Sequence, residues 1–190
     1  IYSQFRDGSG AFQHGHTYVG HATACAAALA VQQTIEDDNL LDNVNRMGEL
    51  LNLALHDRFG EHPYIGDIRG RGLFRALELV ADRDTKAPLS HELSIAAEIK
   101  KQGMAQGLAC YPNSGTIDGL NGDHVLLAPP YIIDQTHVEE IVDKLGLAVD
   151  AALNSKGILI SLKLHEGYQS RFGGDLIFQL QPNAIFYGPY

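Results

Sequence analysis

Three stretches of this sequence hold residue types that could do chemistry. The first is His14-Gly15-His16-Thr17-Tyr18-Val19-Gly20-His21, which runs into alanine-rich sequence. Glycines ahead of a helix leave backbone N–H groups free, and the positive end of the helix dipole favours an anion there. Thr17 adds a hydroxyl donor, so a phosphate would be well served. An ordinary loop with a helix cap fits the same spacing. So does a metal site, because His14, His16 and His21 place three imidazoles within eight residues, although no carboxylate or cysteine joins them nearby.

The second stretch is Gly66-Asp67-Ile68-Arg69-Gly70-Arg71-Gly72-Leu73. It is not a dinucleotide fingerprint, because a strand follows it rather than a helix. It reads as a hairpin turn with Arg69 paired to a carboxylate, or with Arg69 facing a substrate. The third runs from Tyr111 to Pro130 and is rich in glycine. A loop of that length in a compact domain is often functional. Asp118, Asp123 and His124 could form an acid/base set there, and turn formation explains them equally well.

The elements that must position these residues follow from hydrophobic period. Residues 1–20 show little period and read as a loop. Residues 21–35 read as a helix of small residues, packed closely against another backbone. Residues 39–59 read as a second helix, with Leu40, Val44, Met47, Leu51 and Leu55 along one face. The period then shortens. Residues 64–69 and 73–80 read as strands joined by Gly70-Arg71-Gly72, where glycine supplies the positive φ of a tight turn. Arg75, within the second of these strands, reads as a surface position or a sign of drift. Ser90 is the expected cap of a helix reaching residue 106. Residues 108–111 and 124–128 read as strands. Thr136 and Glu139 have capping-box spacing, ahead of a helix that buries Val138, Ile141, Val142, Leu145, Val149 and Ala152. This mixed order predicts a small α/β or α+β domain.

Composition narrows the classes. The net charge of −9 argues against nucleic acid, whose phosphates want a basic face. No apolar run approaches membrane-helix length, and no signal peptide is evident. The two cysteines, Cys25 and Cys110, have no metal or redox spacing. Both read as reduced core thiols, which implies a cytoplasmic setting.

These stretches also resemble a known family. Residues 8–21 followed by Ala24-Cys25-Ala26-Ala27-Ala28-Leu29, then Gly66–Phe74 with Glu78-Leu79-Val80, then Tyr111-Pro112, Gly115–Gly119 and Gly122–Pro130 are similar to blocks of the class III, fold-type I, pyridoxal-phosphate-dependent aminotransferases. They occur in family order and at family spacing. The resemblance implies the α/β C-terminal part of such an enzyme: an interface loop and helices leaving the large domain over residues 1–60, the small α/β domain over 61–153, and an unassigned tail over 154–190.

The resemblance also implies a function. Such enzymes are transaminases that bind pyridoxal 5'-phosphate and move an amino group from a small amino donor to a keto acid or aldehyde. They are homodimers with shared active sites. Thr17 matches the threonine that reaches the neighbouring subunit's cofactor phosphate, and His16 flanks it at the same edge. The family's Schiff-base lysine belongs upstream of this threonine. The six lysines here, at 86, 100, 101, 144, 156 and 163, all follow it. No catalytic residue is therefore assigned, and Lys156 in Ser155-Lys156-Gly157 reads as solvated tail. Many relatives hold a substrate carboxylate through an arginine near the end of the small domain. No arginine or lysine lies between Leu108 and Pro130. Alone, the chain is expected to be inactive, as a fragment or as a non-catalytic binding module. Its alanine-rich helix is expected to expose a face meant for a partner.

Overall fold

The computed structural model describes residues 1–158. Helix α1 (Tyr2–Asp7) and α2 (Ala22–Asp37) come first, then α3 (Leu40–Phe59). Strands β1 (Ile65–Arg71) and β2 (Phe74–Leu79) form a hairpin. A 3-10 turn (His91–Leu93), helix α4 (Ile95–Ala105), strands β3 (Tyr111–Asn113) and β4 (Asp123–Leu127), and helix α5 (Gln135–Ser155) complete the order. The sheet is antiparallel throughout, in the order β1-β2-β4-β3. The expected mixed α/β class is the one observed.

Alternation along the strands decides where the core lies. Side chains on a strand point to opposite faces in turn, and Leu77, Leu79, Val125 and Leu127 all fall on the buried face. They meet Met47, Leu51, Leu55 and Phe59 of α3, Ile95 and Ile99 of α4, and Val138, Val142, Leu145 and Val149 of α5 in one cluster. Helices therefore cover one face of the sheet. On the other, Phe74 and Tyr111 are 58% and 62% exposed.

Several expectations need correction. The first twenty residues are not all loop, because Tyr2–Asp7 is helical. One short turn is too brief to display an apolar period. The helix expected from Ser90 is broken, since Ser94 takes a left-handed φ of 51° and α4 starts after it. The cap of α5 is Asp134, whose side chain accepts from the His137 N–H, and not Thr136. Cys25 is not a core thiol but exposed, because α2 buries none of its residues. Leu29 and Val31 stand 71% and 57% exposed on that helix, as expected of a face awaiting a partner. Helix α5 runs on to Ser155, past the expected start of the tail. Lys156 is its half-buried C-cap rather than a solvated side chain. The rest of the tail, with Lys163, lies outside the described residues.

Candidate functional site

The loop before α2 is built from two successive turns. The Val19 N–H donates to His16 O, and the His21 N–H to Tyr18 O, both at 3.0 Å. Gly20, with φ of 77°, takes the left-handed conformation that lets the chain enter the helix. His21 then caps α2, its Nδ1 accepting the Ala24 N–H at 3.3 Å.

This arrangement disposes of the imidazoles. His16 Nδ1 accepts the Tyr18 N–H at 3.3 Å, so His16 and His21 both spend a ring nitrogen on main chain. The His14 and His16 rings stand 6.3 Å apart and nearly perpendicular. Among the described residues no group of three His, Cys, Asp or Glu side chains is placed to hold a metal. The metal reading of this loop has no geometry behind it.

Thr17 sits between the two turns. It is exposed, and among the described residues its hydroxyl enters no hydrogen bond. A free hydroxyl in a loop that leads into a helix N-terminus, where the dipole favours negative charge, suits a phosphate. The residues present fit that group.

The hairpin stretch is structural. Arg69 Nη1 donates to Asp67 Oδ2 at 2.8 Å and to Glu78 Oε2 at 2.5 Å. The Asp67 and Glu78 carboxylates raise the guanidinium's pKa above its ordinary value. Two carboxylates meet the one nitrogen Nη1, so the pairing reading holds.

Arg75 corrects the sequence reading. It is 8% exposed, neither a surface position nor drift. Its guanidinium donates to Gly72 O at 2.9 Å, Gly70 O at 3.1 Å, Asn52 Oδ1 at 3.0 Å and Gly48 O at 3.0 Å. It bolts the hairpin turn to α3. The signal was available in register, because Arg75 shares strand parity with Leu77 and Leu79.

The third stretch does not assemble an acid/base set. Asp118 is a turn residue, accepting from the N–H groups of Leu120 at 2.9 Å and Asn121 at 2.7 Å and from Asn121 Nδ2 at 2.7 Å. Those bonds lower its pKa to about 2. Asp123 is buried, and that burial pushes its carboxyl up, with the Ala96 N–H at the start of α4 opposing. His124 follows it on the opposite face of β4, its Nδ1 buried without a partner among the described residues. The three groups point to three different places.

A further polar cluster had no sequence signal. Asp150 of α5 takes Arg58 Nη2 at 2.5 Å and lies 3.3 Å from His62 Nε2. Burial works to raise the Asp150 pKa, but the His62 hydrogen bond and the Arg58 charge outweigh it and hold the carboxyl low. The partners are 92 and 88 residues apart in sequence, beyond any local pattern.

The family "Aminotransferase class-III" matches residues 1–149. An aminotransferase of Gibberella zeae is 46% identical over 147 residues, covering 77% of this chain and 29% of that protein. A crystal structure of a Bacillus anthracis aminotransferase shares 36% identity at a TM-score of 0.66, covering 74% of this chain and 30% of that one. The omega transaminase from Pseudomonas jessenii in complex with PMP gives 32% identity and a TM-score of 0.65, covering 80% and 32%. The chain spans about a third of the length of the curated relatives it matches.

Proposed function

We propose, from the premise that the chain belongs to the class III aminotransferase family, that it serves pyridoxal-phosphate-dependent transfer of an amino group to a keto acid or aldehyde. In this reading residues 1–60 carry the interface loop and helices, and residues 61–153 the small domain. When bound, pyridoxal phosphate supplies the electron sink that makes the amino group mobile.

The part assigned to this chain is binding. Thr17 donates its hydroxyl to the cofactor phosphate, with the N-terminal end of α2 behind it favouring negative charge. His16, whose Nδ1 is held by the Tyr18 N–H, keeps Nε2 available to line the same edge. The exposed apolar side chains of α2 fit a homodimer in which Thr17 serves the neighbouring subunit's site. A cytoplasmic setting belongs to the same proposal. The observation that carries the reading is the uncommitted, exposed Thr17 ahead of α2 in a chain of this family.

Two experiments test it. Mixed with pyridoxal phosphate and reduced with borohydride, the purified chain is expected to show no single lysine labelled stoichiometrically. A one-to-one adduct on Lys156 would mean that this chain carries its own active site. In the dimer, Thr17→Val is expected to weaken cofactor retention about tenfold or more, the worth of one charge-assisted hydrogen bond, while Thr17→Ser retains it. Equal retention by the valine variant would remove Thr17 from the site.

A further inference from the structure

Only Asp38 and Asn39 separate α2 from α3, and Asn39 is the residue that turns the chain. Its φ of 50° and ψ of 43° are left-handed. There the Cβ of an L-residue crowds the following carbonyl, and asparagine is among the few non-glycine types that visit the region. Asn39 closes one helix and opens the next. Its N–H donates to Glu36 O at 3.2 Å, and its carbonyl accepts the Asp42 N–H at 3.2 Å. Its side-chain Nδ2 donates to Asp42 Oδ2 at 2.6 Å, which holds the bend from the α3 side.

The neighbouring sequence would not stop the helix. From Ala22 to Arg46 there is no glycine or proline. An alanine at position 39 in right-handed geometry would carry the helical ladder straight from α2 into α3. Packing does not impose the bend either. Helix α2 buries none of its residues, and an open cleft of about 450 Å³ lies against the bend, between Asn39 and Asp42 on one side and Ile132 and Ile133 on the other. The α3 side, in contrast, is anchored. Asn43 Nδ2 donates to Tyr131 O at 2.7 Å and to Ile133 O at 2.9 Å, and Asn43 Oδ1 accepts from Arg46 Nη2 at 2.9 Å. The first turn of α3 is bolted to the segment before α5, so the conformation of Asn39 sets where α2 points.

We propose that Asn39 is a positioning residue: by ending α2 in a left-handed turn it aims that helix, and Thr17 ahead of it, at the cofactor phosphate of the neighbouring subunit. This rests on the functional reading above. Asn39 acts by direction alone, and the lever is long. Sixteen residues of α2 at a rise of about 1.5 Å each span roughly 24 Å, so a change of about 10° at Asn39 moves the head of the helix by about 4 Å. That is more than a hydrogen bond tolerates.

The first test reads the bend itself in the full chain, diluted with unlabelled chain. Spin labels go on Cys25, which is exposed on α2, and on Leu147→Cys in α5, where Leu147 is exposed, with Cys110→Ala in the background. The wild type is expected to give one narrow distance. Asn39→Gly, which takes the left-handed conformation without crowding, should keep that distance, and Asn39→Ala should shift it. A broad wild-type spread, or an unshifted alanine variant, overturns the proposal. If the alanine variant does not fold, the wild-type spread and the glycine variant decide.

The second test reads the consequence. In the homodimer, retention of pyridoxal phosphate is compared with retention of pyridoxal, which lacks the phosphate. Asn39→Ala is expected to lower the ratio as Thr17→Val does, about tenfold, and Asn39→Gly to restore it. A merely structural residue would weaken both cofactor forms alike. If Thr17→Val lowers the ratio and Asn39→Ala does not, the positioning role is overturned and the functional reading stands. If Thr17→Val does not lower it, the functional reading fails and Asn39 has no phosphate site to serve, whatever the label distances show.

Discussion

Gly48 of α3 and Gly72 of the hairpin turn meet backbone to backbone, so that a Cβ added to Gly48 would lie 2.6 Å from the Gly72 Cα. Neither side has a flexible atom to yield. Gly72 has a φ of 54°, so its own conformation also favours glycine. Gly48→Ala is expected to destabilise by about 1–3 kcal/mol, as overpacking does, although alanine is the better helix former. A urea midpoint unchanged or raised would show that α3 and the hairpin can part at no cost.

Arg75 depends on that close approach. Its guanidinium reaches carbonyls on both sides of it, at Gly48 and at Gly70 and Gly72. No carboxylate balances the charge among the described residues, so the oxygen cage itself must replace water. A lysine offers its donors from a single point and cannot span a fork-shaped set of acceptors. Arg75→Lys is expected to cost about 1–3 kcal/mol through carbonyls left unpaired. Thermal unfolding of that variant at the wild-type midpoint would refute the cage.

These two sites mark where sequence reading succeeds and where it stops. The helices α3 and α5 were legible because Met47, Leu51 and Leu55, or Val138, Val142, Leu145 and Val149, repeat at helical spacing. The hairpin was legible from its two glycines. Thr17 is picked out by the family resemblance, because its residue type and place before a helix fit an ordinary cap as well. The burial of Arg75 was legible only through its strand parity with Leu77 and Leu79; its acceptors were not, since they are mostly main-chain oxygens, which carry no residue signature. Asp123 was singled out with the wrong role, because nothing local reveals that it meets the start of α4. Asp134 was passed over for Thr136, two residues away, since the His137 side chain completes a box in which Glu or Gln is usual.

Asp118 gives the loop before β4 an acid limit. Its pKa is lowered to about 2 by the N–H groups of Asn121 and Leu120 and the Asn121 amide. A lowered folded-state pKa gives stability that is present above the unfolded value of roughly 3.9 and is lost as pH falls toward 2. Hydrogen exchange at the Leu120 and Asn121 amides is therefore expected to accelerate, relative to the rest of the chain, as pH falls through that window. In Asp118→Ala both amides should exchange fast at every pH. Protection that survives the substitution would show that the turn holds itself without the carboxylate.

Asp123 runs in the opposite sense. It is 4% exposed, and burial raises its carboxyl pKa against the lowering influence of the Ala96 N–H and His124. A raised folded-state pKa favours the protonated group, so stability from this residue is full below the unfolded value and is lost as pH rises through the folded one. Asparagine mimics the protonated side chain and keeps an oxygen for the Ala96 N–H, which matters because Ser94 makes no side-chain cap on α4. Asp123→Asn is expected to be more stable than wild type at pH 7 and to lose that advantage at pH 3. Asp123→Ala lacks the oxygen and should be less stable than the asparagine variant at both. If asparagine destabilises at pH 7, the charge of Asp123 contributes to the α4 N-terminus more than its burial costs.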